Sequence, residues 1–395
     1  MPPTNETAAP VSAEDITLYV AMEISRKTWV LGVKSPASEK ISLHSLGPAD
    51  KEGLRDLVEK QRAKAEQALD QEVRVLCCYE AGYEGFWLAR WLEQEMSIET
   101  VVLDPASLLV NRKAKQRKTD RIDAKKMVRA LLAHDRGDAA VLSRVRVPSV
   151  EEEDRKRLIR ERRRLVKERT SLTNSIKGLL KLHGIFELDP RTRGFDEKFA
   201  DVVTAYGSPV PPRARQEIER LKERLSLVER QINEVEAERD EVAQAGAQLS
   251  ITDTLEGSDA QAAAKIATLA QLKGIGENDA TVLVNEVFYR GFRNRRELAS
   301  WVGITPTPWT SGDTQRDQGI GHDGPGWIRA HLIQMAWRWL RHQPQSPLSI
   351  WFENRTAGAQ GRIRRVMIVA LARKLLIALW RFSETGLVPT GTKLA

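Results

Sequence analysis

The chain has 395 residues, a length that favours two or three domains over one. Apolar residues make up 41% of the chain and charged residues 29%, so folded cores are expected. No stretch reaches the roughly 20 consecutive apolar residues that span a bilayer, which argues against a membrane protein. The net charge of +8 fits an ordinary soluble basic protein, and it favours a polyanionic partner only where the cations cluster.

The N-terminus and the cysteines give no sign of export. Residues 1–14 are rich in Pro, Ala and acidic side chains, and no basic segment precedes an apolar one. They predict a disordered leader rather than a signal peptide. Cys77 and Cys78 are adjacent in an apolar run and would point to opposite faces of a strand, which argues against a disulfide between them. We expect two small buried side chains in a soluble, intracellular protein.

Residues 15–147 are predicted to form an α/β domain. Two runs rich in β-branched and aromatic residues flank the polar turn 25–27, which is typical of a strand–turn–strand hairpin. Helical and strand-like segments then alternate, and this order favours a mixed sheet covered by helices. The predicted strands cover 16–23, 28–33, 41–46, 73–79 and 98–103, and the predicted helices cover 49–70, 84–95 and 118–132.

Residues 148–246 have the pattern of two long helices with heptad repeats. The first covers 151–186, the second covers 213–244, and a stretch containing Pro and Gly separates them. The apolar seam predicts either a coiled-coil hairpin or helices that pair with a second subunit. A structural spacer and a dimerisation arm fit the pattern equally. The leucines that recur every seven residues in the first helix are Leu158, Leu165, Leu172 and Leu179.

The rest of the chain is predicted to be a linker, a mostly α-helical domain and a tail. Residues 247–262, rich in Ala, Ser, Thr and Asp, are typical of a linker. Residues 263–385 hold most of the tryptophans, and most of these are expected in the core because large aromatic side chains at helical spacing usually pack. Residues 386–395 form the tail.

Four carboxylates are placed where they could form one acidic site. Glu23 ends the first predicted strand and Glu80 ends the fourth. Asp120 and Asp123 lie three residues apart on a predicted helix, so both can point the same way. Such carboxylates can converge and hold two Mg²⁺ ions through oxygen ligands, an arrangement that serves phosphoryl transfer. The opposing interpretation is that the aspartates cap a helix and the glutamates are solvated.

A cluster of cations surrounds the two aspartates. A run of charge is more often a solvated face than a binding site, but this one flanks the acidic set, where phosphates would have to be neutralised. A second basic run extends from Arg155 to Arg169 on the first long helix. Both runs predict contacts with a nucleic acid backbone. The cations of the first run are Arg112, Lys113, Lys115, Arg117, Lys118, Arg121, Lys125 and Lys126.

Two short motifs lie in the third region. Gly274 and Gly276 stand between two helical segments, as in a helix–hairpin–helix whose backbone amides approach a phosphate, although a plain tight turn is the simpler interpretation. Ser311 precedes a glycine, and on its own this pair predicts a turn. No Gly-x-Ser-x-Gly elbow or suitably placed histidine marks a catalytic triad.

Taken together, the motifs resemble the insertion sequence 110 family of transposases, which includes the pilin-gene inverting recombinases. They follow the family's order over nearly the whole chain, and the Lys-Thr-Asp-x-x-Asp-Ala motif is the most specific. The matching segments are Tyr19-Val-Ala-Met-Glu-Ile-Ser-Arg-Lys-Thr-Trp29, Tyr79-Glu-Ala-Gly82, Lys118-Thr-Asp-Arg-Ile-Asp-Ala124, Lys273-Gly-Ile-Gly276 and Thr310-Ser-Gly312.

The resemblance implies roles for these residues. It implies a RuvC/RNase H-like N-terminal domain with an acidic (DEDD-type) Mg²⁺ site, and a C-terminal serine transposase domain in which Ser311 attacks DNA and forms a transient phosphoserine. A structured bridge RNA encoded beside the gene would pair with donor and target DNA. The resemblance also implies a homo-oligomer, a dimer or tetramer in the synapse, and a place in the prokaryotic cytoplasm at the nucleoid. The acidic ligands would be Glu23, Glu80, Asp120 and Asp123.

The chain departs from the family pattern in two places. The first acidic position is usually Asp, whereas Glu23 has a stem one methylene longer, which could shift the geometry of a metal site. The segment 312–326 carries three aspartates where a basic stretch is expected, so Arg316 and Arg329 are the nearest candidates for holding phosphate.

Three hypotheses are compatible with the sequence. A serine-and-metal recombinase accounts for all regions of the chain. The alternative is a metal-dependent RuvC-like DNA junction nuclease without a covalent intermediate, which leaves the third region unexplained. The third is a nucleic-acid-binding scaffold whose acidic cluster has lost its activity.

Overall fold

The structure is a computed structural model, and it describes residues 16–82, 85–104, 119–138, 141–246, 258–311, 314–321, 324–359 and 361–395. The chain divides into two compact units, Met1–Val147 and Pro148–Ala395. Among the helices of the described residues, none combines the length and the apolar character that a membrane span requires.

The first unit contains a mixed five-stranded sheet in the order β3-β2-β1-β4-β5. Strand β2 runs antiparallel to both β1 and β3, whereas β1, β4 and β5 are parallel to one another. The α/β class and the mixed sheet are therefore confirmed. The elements are β1 Thr17–Ile24, β2 Trp29–Lys34, β3 Ile41–Leu46, α1 Lys51–Leu69, β4 Arg74–Glu80, α2 Trp87–Met96, β5 Glu99–Leu103 and α3 Asp120–Asp135.

Helices cover both faces of this sheet. Residues of α1 and α2 pack on one face, and residues of α3 pack on the other. The central strands are almost continuously apolar because both of their faces are buried. Cys77 faces α1 and α2 whereas Cys78 faces α3, so the two cysteines are free, buried and on opposite sides, as their adjacency predicts.

Two long helices open the second unit. Helix α4 begins with a capping box, in which Glu152 N–H donates to Ser149 Oγ (3.1 Å) and Ser149 N–H donates to Glu152 Oε2 (2.9 Å). Apolar residues of α4 and α6 form one core within the same chain, which favours the intrachain hairpin over pairing between subunits. The elements are α4 Val150–Leu182, α5 Phe195–Asp201 and α6 Pro212–Gly246.

The remainder of the second unit is mostly helical, as expected, and surrounds its own apolar core. A π-helical turn, Leu283–Val287, and a 3₁₀ turn, Phe288–Arg290, follow α8 directly. The other elements are α7 Ser258–Ala270, α8 Glu277–Val282, α9 Arg295–Val302, β6 Pro306–Ser311, β7 Thr314–Ile320, α10 Gly326–His342, α11 Pro347–Thr356 and α12 Arg362–Thr385.

One local prediction for this unit is wrong. The linker was expected to extend to residue 262, but α7 begins at Ser258 because its alanines favour helix and its apolar face, including Ala262 and Ile266, packs into the core. Ser311 ends β6 and pairs with Thr314 of β7. Residues 312 and 313 lie outside the described residues, so the turn expected at Ser311 stays a prediction.

The tryptophans largely follow the prediction of a core role. Trp339 is buried, and Trp301, Trp327, Trp351 and Trp380 are partly buried against the core. Trp337 is an exception because it is 37% exposed. The side chain of Trp309 lies outside the described part of the chain.

Candidate active site

Glu23 and Glu80 lie at the same edge of the sheet. Their strands β1 and β4 are adjacent and parallel, with Met22 opposite Tyr79, so the residue that follows on each strand stands at the same level. Glu23 pairs with Val30 of β2 on its other side. Because side chains alternate along a strand, both glutamates share the face that α3 covers. Both are partly buried.

Helix α3 runs antiparallel to β1 and β4, and contacts at its C-terminal end establish this direction. Asp135 accepts hydrogen bonds from Tyr19 Oη (2.8 Å) and Arg74 Nη1 (3.1 Å), and both donors lie near the beginnings of their strands. Farther along, Cys78 Sγ lies 4.0 Å from the carbonyl oxygen of Met127. The N-terminal turn of α3 is therefore directed toward the edge where the strands end.

That N-terminal turn carries the two aspartates. Thr119 caps α3 by accepting from the amide of Ile122, so Asp120 and Asp123 belong to the first turn. The helix also lies close to the sheet, since a Cβ on Gly32 would stand 3.1 Å from the carbonyl oxygen of Ala124. The structure thus directs all four carboxylates toward one edge of the first unit.

Asp123 has a carboxylate oxygen that the described protein leaves unsatisfied. Its side chain is 16% exposed, and Oδ1 accepts from Lys126 Nζ at 3.2 Å. Oδ2 is buried, and it has no hydrogen-bond partner among the described residues. Burying a carboxylate oxygen without a partner costs free energy. A cation at this edge would compensate that cost, and all four candidate ligands offer the oxygen atoms that Mg²⁺ prefers.

The carboxylates do not form a preassembled ligand shell. Within the part of the chain that the structure describes, no group of three or more His, Cys, Asp or Glu side chains is close enough to hold a metal ion. Asp120 in particular is exposed. The donors therefore fit a divalent cation by chemistry and placement, and full coordination would require their side chains to converge.

The cations predicted beside this site are only partly described. Arg112, Lys113, Lys115, Arg117 and Lys118 lie in 105–118, outside the described residues. Arg121 is exposed and Lys125 is half-buried on α3. Both therefore remain candidates for contacts with a phosphate backbone.

Ser311 is the last residue of β6 and pairs with Thr314 across the hairpin. Two residues earlier on β6, Trp309 pairs with Arg316 of β7. The side chains of 308–318 lie outside the described part of the structure. The proposed roles of Ser311 and Arg316 therefore remain predictions.

The Gly-Ile-Gly turn connects two helices, as expected, and is already occupied by protein contacts. Gly274 has a φ of +94°, which favours glycine, and the amide of its neighbour Lys273 donates to the carbonyl oxygen of Lys393 in the C-terminal tail (3.0 Å). The amide of Gly276 donates to the carboxylate of Asp279 at 3.3 Å. This carboxylate stands at the start of α8, where a phosphate would have to bind, and it disfavours a second anion there.

Arg329 is also engaged by the protein. Its Nη1 donates to the carbonyl oxygens of Val302 (3.4 Å) and Gly324 (3.2 Å). These contacts favour a role in holding the start of α10, and a contact with phosphate stays a prediction.

The second basic run separates into two classes of arginine. Arg160 makes a bidentate ion pair with Glu286 of the π-helical turn, at 2.8 and 3.0 Å. Arg155 pairs with Asp259, and Arg162 pairs with Glu236 at 2.6 Å. Arginines such as Arg157 remain exposed. Sequence reasoning missed this division because the acidic partners lie far along the chain.

Two family models match the sequence of this chain, and their ranges include the residues described above. One, described as "Transposase IS116/IS110/IS902 family", matches residues 266–349 and so includes β6 with Ser311. The other, a DEDD-type transposase model of IS110 elements, matches residues 20–185 and includes all four acidic residues. The "Putative transposase y4rJ" of Sinorhizobium fredii is 40% identical over 376 residues, which are 95% of this chain and 93% of the relative. The chain belongs to the IS110 family of transposases.

More distant relatives of this chain are also transposases. The transposase for insertion sequence element IS1111A of Coxiella burnetii is 26% identical over 72% of this chain and 71% of its own length. A probable family 20 transposase of Pseudomonas aeruginosa is 28% identical over 60% of this chain and 65% of the relative. The transposase is accordingly an enzyme of DNA cleavage and strand transfer.

Proposed function

We propose that this transposase recombines DNA through a divalent-metal site and a serine nucleophile, with a bridge RNA selecting the sequences. The observation that carries the proposal is the direction of α3. Its antiparallel course brings Asp120 and Asp123 toward the edge of the sheet where Glu23 is the penultimate residue of β1 and Glu80 the last of β4. The RuvC-like assignment of this unit rests on that arrangement together with the sheet order.

A two-metal Mg²⁺ site would be held by Glu23, Glu80, Asp120 and Asp123, because Mg²⁺ prefers oxygen ligands such as carboxylates. When bound, the metal would polarise the scissile phosphate and neutralise charge that develops on it. Asp123 contributes a buried oxygen with no hydrogen-bond partner among the described residues, which supports a cation ligand at this edge of the sheet. The longer stem of Glu23 reaches one methylene farther from its strand than an aspartate would.

Ser311 would act as the nucleophile. Its Oγ attacks the phosphorus of one DNA strand, an Oγ–P bond forms, and the P–O bond to the departing strand end breaks. The proton of the serine hydroxyl finally resides on the sugar oxygen that leaves. The phosphoserine keeps the energy of the broken phosphodiester, so rejoining needs no further cofactor.

The protein's cations would hold nucleic acid by its backbone, and base pairing with the bridge RNA would choose donor and target DNA. Arg121 and Lys125 are described candidates for these contacts. One serine can carry only one strand end at a time, and exchange between two DNA molecules needs more than one cut. We therefore expect a homo-oligomer, a dimer or a tetramer.

A trapping assay tests the serine. Purified protein is mixed with its flanking RNA, labelled donor and target DNA and Mg²⁺, and a denaturing gel is examined for DNA attached to protein. We expect an adduct that Ser311→Ala abolishes and that Thr307→Val retains. Thr307→Val is a suitable control because it removes a hydroxyl from the same hairpin. In the wild type, Thr307 Oγ1 donates to the carbonyl oxygen of Gly319 (3.1 Å).

The serine nucleophile, the metal site and the RNA guidance would each be contradicted by a different result. Cleavage without an adduct, unchanged in Ser311→Ala, would establish the metal-only junction nuclease. Full activity after removal of divalent ions by a chelator would exclude the metal site. Equal activity without the flanking RNA, or with an RNA of scrambled guide sequence, would exclude RNA guidance.

A further inference from the structure

A groove on the second unit has the chemistry of a nucleotide site, and its described lining includes neither Ser311 nor any of the four acidic residues. Side chains of α4, α8 and α10 line it, and it has a volume of about 280 Å³. This is close to the lower end of the range for small-ligand sites, roughly 300–1,000 Å³. None of its described lining residues is acidic.

The floor of the groove offers an aromatic surface. Trp327, the second residue of α10, packs partly against the core and is partly exposed to the groove. The guanidinium carbon of Arg163 lies 4.4 Å from the centroid of a Trp327 ring. Planar cations and nucleobases both stack on a tryptophan face, so a surface that holds one suits the other.

Polar groups stand around this floor. Asn278 and Gln334 each carry an amide, which both donates and accepts hydrogen bonds and can therefore pair with the edge of a base. His331 also lines the groove, and its Nε2 lies 3.0 Å from Asp279 Oδ1. Asp279 also accepts a hydrogen bond from Arg338 Nη2 at 2.6 Å.

The charge of the rim is positive. Arg162 is paired with Glu236, but Arg163 is exposed and has no acidic partner among the described residues. Arginine at the edge of an aromatic surface is complementary to a ligand that joins a flat ring to an anion. A nucleotide has this combination, because its base is planar and its phosphate is charged.

We propose that this groove binds one unpaired nucleotide of a DNA strand, with the base on Trp327 and the phosphate at Arg163. The base takes the ring face that Arg163 now covers, and this long exposed side chain swings toward the phosphate. DNA is the favoured source because the family cleaves and transfers DNA strands, which leave the duplex during exchange. The inference requires neither Ser311 nor the acidic residues.

Binding of a short fluorescent single strand to the full-length protein tests the site. Trp327→Leu should weaken binding about tenfold, within the range that loss of one base–aromatic stack produces. Trp327→Phe should retain most of the affinity, and Arg163→Gln should weaken it by several-fold and reduce its dependence on salt. Binding of a duplex of the same sequence should change little in each variant.

Trp337→Leu is the matched control. Trp337 is a partly exposed tryptophan of the same helix with an arginine, Arg364, 5.7 Å from its ring, but it does not line the groove. A fluorescent adenine analogue whose emission falls on stacking adds a direct readout. We expect quenching with the wild type and Trp337→Leu and none with Trp327→Leu.

Thermal unfolding separates loss of binding from loss of fold. Trp327→Leu removes some packing, so the exposed Arg163→Gln change, which cannot disrupt the core, must weaken binding as well. The proposed site would be overturned if Trp327→Leu and Arg163→Gln both kept the wild-type affinity for the single strand. Equal losses of affinity in Trp327→Leu and Trp337→Leu would overturn it as well. Preferential binding of an RNA strand that depends on Trp327 would overturn the assignment to DNA.

Discussion

Helices α3 and α4 are both dense in charge, but their charges meet different surroundings. In the first turn of α3, Asp123 keeps a buried oxygen without a hydrogen-bond partner among the described residues. On α4, Arg160 meets Glu286, whose side chain is only 7% exposed, in a bidentate pair. The first arrangement leaves a charge available for a ligand, and the second uses a charge to join elements of the fold.

This difference shows how a charge run is divided between function and structure. A buried carboxylate oxygen without a hydrogen-bond partner costs free energy unless a ligand binds it, so its presence points to function. A buried ion pair is costly to break, because removal of one partner leaves the other charge uncompensated. The four predictions that follow test this division, from the largest expected effect to the smallest.

The Asp123→Asn variant should lose DNA cleavage by about a hundredfold or more, because an amide is a poor replacement for a metal-binding carboxylate. Its melting temperature should change little, because the amide keeps the shape of the side chain and Oδ2 has no hydrogen bond to lose among the described residues. Asp135→Asn on the same helix is the control. It weakens contacts with Tyr19 and Arg74, so it should lower the melting temperature and leave cleavage largely intact. The reverse pattern would contradict the functional role of Asp123.

Gly32→Val should destabilise the first unit by about 1–3 kcal/mol. An added Cβ would lie 3.0 Å from Val128 Cγ2 and 3.1 Å from the carbonyl oxygen of Ala124, so α3 would have to move away from the sheet. Denaturant unfolding measures the change. Gly47→Ala is the control, because its nearest atom would be 3.9 Å away. Similar stability of both variants would show that α3 is not held so closely.

Arg160→Ala should lower stability by about 1–2 kcal/mol, less than for a fully buried pair because the Arg160 side chain is 52% exposed. Its affinity for DNA should barely change. Arg157→Ala should do the opposite, with unchanged unfolding and a shallower dependence of DNA affinity on salt. Equal effects of the two substitutions on DNA affinity would contradict the division of α4 into two classes of arginine.

The smallest effect is expected in alkaline solution. Burial and then the hydrogen bond to Asp135 raise the pKa of Tyr19 from 10.0 to about 12. A raised pKa means that the folded state favours the neutral phenol, so its contribution is complete below pH 10 and is lost as the pH rises toward 12. The melting temperature of the wild type should therefore fall more steeply between pH 10 and 12 than the melting temperature of Tyr19→Phe. Parallel declines would show that Tyr19 does not contribute.

The strands and helices of the first unit were predicted well from the sequence, because the sequence patterns that specify them are local. Runs of β-branched and aromatic residues and the order of strands and helices predicted the mixed sheet, and the ends of the predicted strands identified Glu23 and Glu80. The two aspartates could be assigned to one helix by their spacing. Their approach to the glutamates depends on the direction of α3, which Asp135, Tyr19 and Arg74 establish across long separations in sequence.

The second unit was less predictable at the level of single side chains. Heptad spacing identified the two long helices, because a repeated apolar stripe must be buried. The partners of the arginines on α4 and the carboxylate at the Gly276 amide gave no signal in the sequence. Trp327 was indistinguishable from a core tryptophan until the structure placed it beside Arg163.

By itself, the sequence determined the elements, the acidic and basic runs and the motifs that resemble the IS110 family. Tertiary structure alone decided which charges are compensated, which way α3 points and which tryptophan faces a groove. The physical reason is the separation in sequence over which each interaction acts. Hydrophobic periodicity and turn chemistry act over a few residues, whereas ion pairing, burial and stacking depend on residues that only folding brings together.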